Sequence, residues 1–120
     1  MNYTAEQIIK ILDLAEHPTC GFTKETYRSN DVVPEGILRA AFRGTRPLGS
    51  VLYFLITADA SMALHRVIAD QMYHHYLGDP VEVLLLFKDG NGKVERVGSD
   101  LVKGMRPQLL IPGSTLGRFL

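Results

Sequence analysis

The residues of this chain best equipped for chemistry lie in one stretch, Leu64 to Gly78, LHRVIADQMYHHYLG. It holds three of the four histidines, His65, His74 and His75, together with Tyr73 and Tyr76. Imidazole titrates near pH 6.5, so it takes up or gives out a proton near neutrality. A tyrosine hydroxyl can donate to an oxyanion as it develops. A cluster of these types can therefore move protons without help from a metal. The stretch lies between the two most apolar segments, SVLYFLI and VEVLLLF, which points to a polar pocket inside a β-structure.

The elements that must position it can be read from pattern. From Ser50 onward the chain reads as successive strands: SVLYFLIT, ALHRV, QMYHHYL, VEVLLLF, KVERVG and, as the last, QLLI, closed by Pro112-Gly113. Asp89-Gly90-Asn91-Gly92 is a hairpin signal, because glycine and asparagine tolerate the positive φ such turns need. Short strands at regular spacing mean a sandwich or barrel. Upstream, Thr4 with Gln7 forms a capping box for a helix running to about Leu14. Ile8, Ile9, Ile11, Leu12 and Ala15 supply its apolar stripe, and His17-Pro18 ends it. CGFTKETYRS reads as a strand whose alternation places Glu25 and Tyr27 on one face and Lys24 and Arg28 on the other. Neither face is cleanly apolar, which suits an edge strand or one facing a cavity. Asn30 to Gly49 reads as a lid or a linker, with one or two helical turns in ILRAAFR.

Composition bounds the rest. A chain of 120 residues, 46% hydrophobic and with 13 basic against 13 acidic residues, is expected to be one soluble domain spanning 1–120. Balanced charge leaves no footprint for nucleic acid or an anionic membrane. No apolar run approaches a spanning helix, and MNYTAEQ lacks the regions of a signal peptide. The single Cys20 cannot form an internal disulfide, in keeping with the cytoplasm.

Several stretches resemble one family. HPTCGFTKETYRS resembles the HPEGGFYRETYRS signature of the small cupins called cupin family five. Arg46-Pro47, VLYFLIT and HRVIADQMYHHYLGDPVEV are similar to that family's RP, IYYLL and HRVDSDEIWHFYAGDPLEL, and GSDLVKGMRPQLLIPG to its GSDLAAGQRPQVVVPAG. The resemblance implies a mainly β fold, the double-stranded β-helix or jelly roll, with a short N-terminal helix, an internal pocket and usually a homodimer. The family runs a few tens of residues further, with strands that close the barrel, and this chain is expected to lack them: either the barrel is shorter, a partner chain supplies the missing edge, or the protein is a truncated product. Because epimerases, dioxygenases and storage proteins share this barrel, the fold alone does not settle function.

Departures from the family pattern sharpen the expectation. The first cupin motif, His-x-His, three residues, Glu, six residues, Gly, falls here on His65, Val67, Gln71 and Gly78. Valine cannot bind a metal, and a neutral Gln71 oxygen is a poorer donor than carboxylate. The histidine expected after Pro112-Gly113 is missing from STLGRFL. No metal or other cofactor is therefore expected.

If His65 and Gln71 face inward as the motif requires, Val67, Tyr73, His75 and Leu77 face inward too, and Met72, His74 and Tyr76 outward. A β-bulge would exchange His74 for His75. The candidate catalytic residues are His65, His75 and Tyr73, with Gln71, Tyr53, Glu25, Arg28 and His74 as substrate-binding candidates. Each has a plainer reading. His65 can be a wall histidine, Tyr73 and Tyr53 pocket walls, and Glu25 and Arg28 a salt-bridged pair. Glu82 is either exposed or paired, and His17 belongs to a cap or loop. Three functions fit, in this order: a metal-independent isomerase, epimerase or cyclase acting on a small polar or carbonyl-containing molecule, a non-catalytic module that binds a sugar-like ligand, or an interaction domain whose function lies in its dimer.

Overall fold

A computed structural model describes residues 2–18, 21–59 and 64–119. Cys20 lies outside them. The chain divides into two compact units, residues 1–62 and 63–120.

The first unit begins with helix α1, Ala5–Leu12. Its capping box forms as expected: the Gln7 amide donates to Thr4 Oγ1 at 3.1 Å and the Thr4 amide to Gln7 Oε1 at 2.9 Å, satisfying two orphan donors reciprocally. The helix stops earlier than the His17-Pro18 signal suggested. Asp13 adopts the left-handed conformation at φ 55°, and the Leu14 amide returns to the Ile9 carbonyl at 2.9 Å. Leu14 is buried and Ile11 exposed, so the apolar stripe is only partly covered.

A three-stranded antiparallel sheet follows, ordered β1 (Ala15–Glu16), β2 (Phe22–Arg28), β5 (Ser50–Leu55). The β2 strand lies between two neighbours and is not an edge. Gly21 makes the turn into it at φ 38°, where a Cβ would run into the Leu55 carbonyl oxygen. Strands β3 (Val32–Val33) and β4 (Arg46–Pro47) pair with each other and close the intervening loop. ILRAAFR forms turns instead of helix. Gly36 and Gly44, at φ 93° and 71°, bend the chain where continued helix would need negative φ.

The second unit holds two ladders. One is the four-stranded sheet β6 (His65–Arg66), β11 (Leu116–Phe119), β8 (Val81–Leu86), β9 (Gly92–Val97). The other pairs β7 (Gln71–His74) with β10 (Gln108–Ile111). QLLI is therefore not the last strand. β11 follows it and pairs on both sides, Gly117 facing Leu85 on β8 and His65 on β6. Its LGRF sequence carries little strand propensity, and tertiary pairing decides it.

Alternation on β8 is clean: Val83 and Leu85 are each 1% exposed, and with Val97, Met105 and Ile111 they form the buried core of this unit. Glu82 is exposed, opposite Arg96. The β8–β9 turn forms as the Asp-Gly-Asn-Gly signal predicts. The Gly90 amide donates to the Phe87 carbonyl at 3.1 Å, Gly90 sits at φ 90°, and Asp89 accepts from the Asn91 amide at 2.9 Å.

Candidate functional site

In the second unit the pairing register sets which side chains share a face. On an antiparallel ladder, directly opposed residues project to the same side. Gln71 opposes Ile111, Tyr73 opposes Leu109, Met72 opposes Leu110 and His74 opposes Gln108. Ile111 is buried and Leu109, Gln71, Tyr73 and His75 are half-buried, whereas Met72, His74, Leu110 and Gln108 are exposed. Both strands report the same sidedness. No bulge intervenes, because the His75 amide continues the ladder by donating to the Pro107 carbonyl at 2.7 Å.

The register thus puts the two adjacent histidines on opposite faces. His75 shares the sheltered face with Gln71 and Tyr73. His74 stands on the other face, stacked on Tyr76 at 6.3 Å between centroids and 11° between planes, with Gln108 Nε2 3.5 Å from its Nδ1.

His75 Nε2 lies 3.3 Å from the Asp79 carbonyl oxygen. A carbonyl only accepts, so Nε2 is the nitrogen that donates in this contact, and the backbone orients the ring. Tyr73 stands two residues earlier on the same face, a strand rise of about 7 Å between the two backbones.

His65, half-buried, belongs to the other ladder, opposite Gly117. The two ladders are tied by the turn between β10 and β11. The Ser114 amide donates to the Val67 carbonyl and the Gly113 amide to Asp70 Oδ1, each at 2.7 Å. Ser114 sits at φ 66° and the Thr115 amide returns to the Pro112 carbonyl at 3.2 Å. Asp70 thus helps to place His65 relative to Gln71, a role that sequence reading missed. Its signal was an acidic side chain just before a strand, which by itself is too common to single out.

The remaining candidates lie in the first unit, and a bulge governs them. Glu25 opposes Leu52 but Tyr27 opposes Val51, so Thr26 is the extra residue, and its hydroxyl donates to the Val51 carbonyl at 3.2 Å. The inserted residue inverts the alternation beyond it. Arg28 therefore shares a face with Glu25, not with Lys24 as strict alternation predicts. Its Nε and Nη2 donate to the two Glu25 carboxylate oxygens at 2.8 and 2.9 Å. This fork holds the Glu25 carboxyl below its ordinary range, chiefly through the hydrogen bond from Arg28. Tyr53 opposes Lys24 and so projects from the opposite face of the sheet. The first unit thus separates Tyr53 from the Glu25–Arg28 pair.

The motif positions do not suit a metal. Val67 offers no side-chain donor and its carbonyl is engaged by Ser114. Among the described residues, no three of His, Cys, Asp and Glu are grouped to hold an ion. Among the described residues, no helix is long and apolar enough to cross a membrane.

A family model described as cupin superfamily, DUF985, matches residues 6–118. The chain belongs to this family, and its architecture is a cupin-type β fold. Two solved structures are similar to it. A hypothetical protein from Leishmania major is 27% identical, with a TM-score of 0.87 over 98% of this chain and 69% of its own. A protein from Shewanella oneidensis solved by X-ray crystallography is 28% identical, with a TM-score of 0.83 over 99% of this chain and 70% of its own. No curated protein matches the chain.

Proposed function

We propose that this cupin acts without a metal on a small polar, carbonyl-containing molecule, as an isomerase, epimerase or cyclase. The observation that carries this reading is the sheltered face of β7, where Gln71, Tyr73 and His75 alternate and the His75 ring is oriented by the Asp79 carbonyl. His75 Nδ1 removes a proton from the carbon next to the carbonyl. Charge develops on the carbonyl oxygen, Tyr73 donates its hydroxyl hydrogen bond to it, and Gln71 orients the polar remainder through its amide. His65 serves as the second proton carrier, returning a proton to the same carbon or to its neighbour.

A homodimer belongs to the same reading. Its support is the β5 strand, where Val51 and Leu52 are adjacent and 52% and 48% exposed. Adjacent strand residues face opposite ways, so both sides of β5 present apolar surface for a second copy to cover. A cytoplasmic location rests on the unpaired cysteine content of the sequence.

The test is solvent exchange. A panel of small hydroxyketones and hydroxyaldehydes is incubated with the protein in D2O, and the proton signal next to each carbonyl is followed by NMR. The wild type removes that signal from at least one compound, and His75→Ala and His65→Ala do not. Exchange that persists unchanged in both variants, or no exchange with any compound, overturns the proposal. Saturable binding without exchange identifies a binding module instead.

A further inference from the structure

The loop spanning residues 34–45 in the first unit builds a second candidate site, independent of the histidine face. Its ends are closed by the β3–β4 ladder, with Val33 opposite Arg46, and by the Leu48 amide donating to the Asp31 carbonyl at 3.1 Å. A compact excursion with tied ends keeps its own internal packing. At its centre is Phe42, half-buried, whose amide donates to the Arg39 carbonyl at 3.0 Å. The guanidinium carbons of Arg39 and Arg46 each lie 5.1 Å from the Phe42 ring centroid.

One ring therefore gathers two cations, and Arg43 follows it directly in the chain. An open surface hollow of about 520 Å³ lies at Phe42 and Arg43, lined by these two together with Leu38, Ala40, Glu35 and Gly36. Neither Arg43 nor Arg46 meets a carboxylate among the described residues.

A guanidinium drawn to a ring face still has N–H donors to spare for an oxyanion, which its fork can grip with two parallel bonds. The aromatic ring and two aliphatic side chains suit hydrocarbon instead of water. We propose that this loop binds a small organic oxyanion, a molecule with one phosphate or carboxylate head on an apolar body. Arg43 and Arg46 grip the head, and Leu38, Ala40 and Phe42 cover the body. Arg39 secures the ring. The single Glu35 at the cavity disfavours ligands carrying further negative charge.

The experiment titrates the full-length protein with phenyl phosphate, benzoate, inorganic phosphate and benzyl alcohol at constant ionic strength. Binding is followed by the amide and arginine Nε–H signals of residues 35–46 in NMR spectra. Phenyl phosphate or benzoate is expected to bind at least tenfold more tightly than inorganic phosphate, and benzyl alcohol not at all. The better of the two names the head group. Arg46→Lys, which keeps the charge but loses the fork, and Arg43→Gln are each expected to weaken binding about tenfold while the spectrum outside the loop stays unchanged. Wild-type affinity in both variants, inorganic phosphate binding as tightly as the organic ions, or no saturable shift with either organic ion overturns the assignment. Failure here leaves the carbonyl-exchange result untouched, because the two sites share no residue.

Discussion

Asp70 offers the sharpest test of how the second unit places its histidines. Asp70→Ala removes the acceptor of the 2.7 Å bond from the Gly113 amide and leaves the Ser114–Val67 bond as the main tie of that turn. A hydrogen bond to a charged group contributes about 1.5–3 kcal/mol. The Asp70 side chain is exposed and Gly113 half-buried, so water recovers part of the loss and the lower end, about 1.5 kcal/mol, is expected. With a urea m-value of about 1.5 kcal/mol per M, the unfolding midpoint falls by about 1 M. Asp70→Asn keeps an oxygen acceptor without the charge, and its midpoint falls about half as far. Amide hydrogen exchange supplies the local readout: protection at Gly113 drops in Asp70→Ala and is intermediate in Asp70→Asn. The His65 ring signals shift in step, because the ladder from Leu116 and Gly117 to β6 follows directly on this turn. A midpoint within about 0.2 M of wild type, with unchanged protection at Gly113, refutes the clamp.

Two other predictions start from the first unit, one of them set against a glycine of the second. Gly21→Ala places a Cβ against the Leu55 carbonyl at a positive φ and should cost about 2 kcal/mol or more, lowering Tm by roughly 8 °C. Gly90→Ala, at φ 90° but with open space around it, should cost roughly half as much, and equal losses in the two variants would remove the steric argument. Arg28→Gln should raise the Glu25 carboxyl toward its ordinary value, read from carboxyl carbon shifts. The folded carboxyl is depressed, so the stabilisation from this pair is present above the unfolded value. It is lost as pH falls through the folded one. A Glu25 titration that ignores the substitution would show that the fork does not persist in solution.

Much of the fold could be read from local chemistry. The Thr4–Gln7 capping box and the Asp89–Gly92 turn depend on residues within a few positions of one another, and each appears as expected. Family signatures such as HPTCGFTKETYRS and HRVIADQMYHHYLGDPVEV carried the cupin architecture, because a fold is encoded redundantly over many positions. The departures from sequence reading arise where a distant partner decides. β11 is a strand because β6 and β8 flank it, although LGRF has weak strand character. The helix end is a local exception: the left-handed Asp13 closes α1 after Leu12, ahead of the proline signal.

The sequence by itself determined which chemistry is present: three histidines and two tyrosines in one short stretch, and a motif with Val67 and Gln71 where the metal ligands of the first cupin motif fall. Only the tertiary structure decided which of them face together. One inserted residue, Thr26, inverted the strand so that Arg28 reaches Glu25, and the absence of any such insertion in β7 put His75, not His74, beside Tyr73. Strand alternation has a period of two, so a single-residue change in register exchanges every face. That register is set by hydrogen bonds to strands far away in sequence, such as Pro107 to Ile111, and no local pattern contains it.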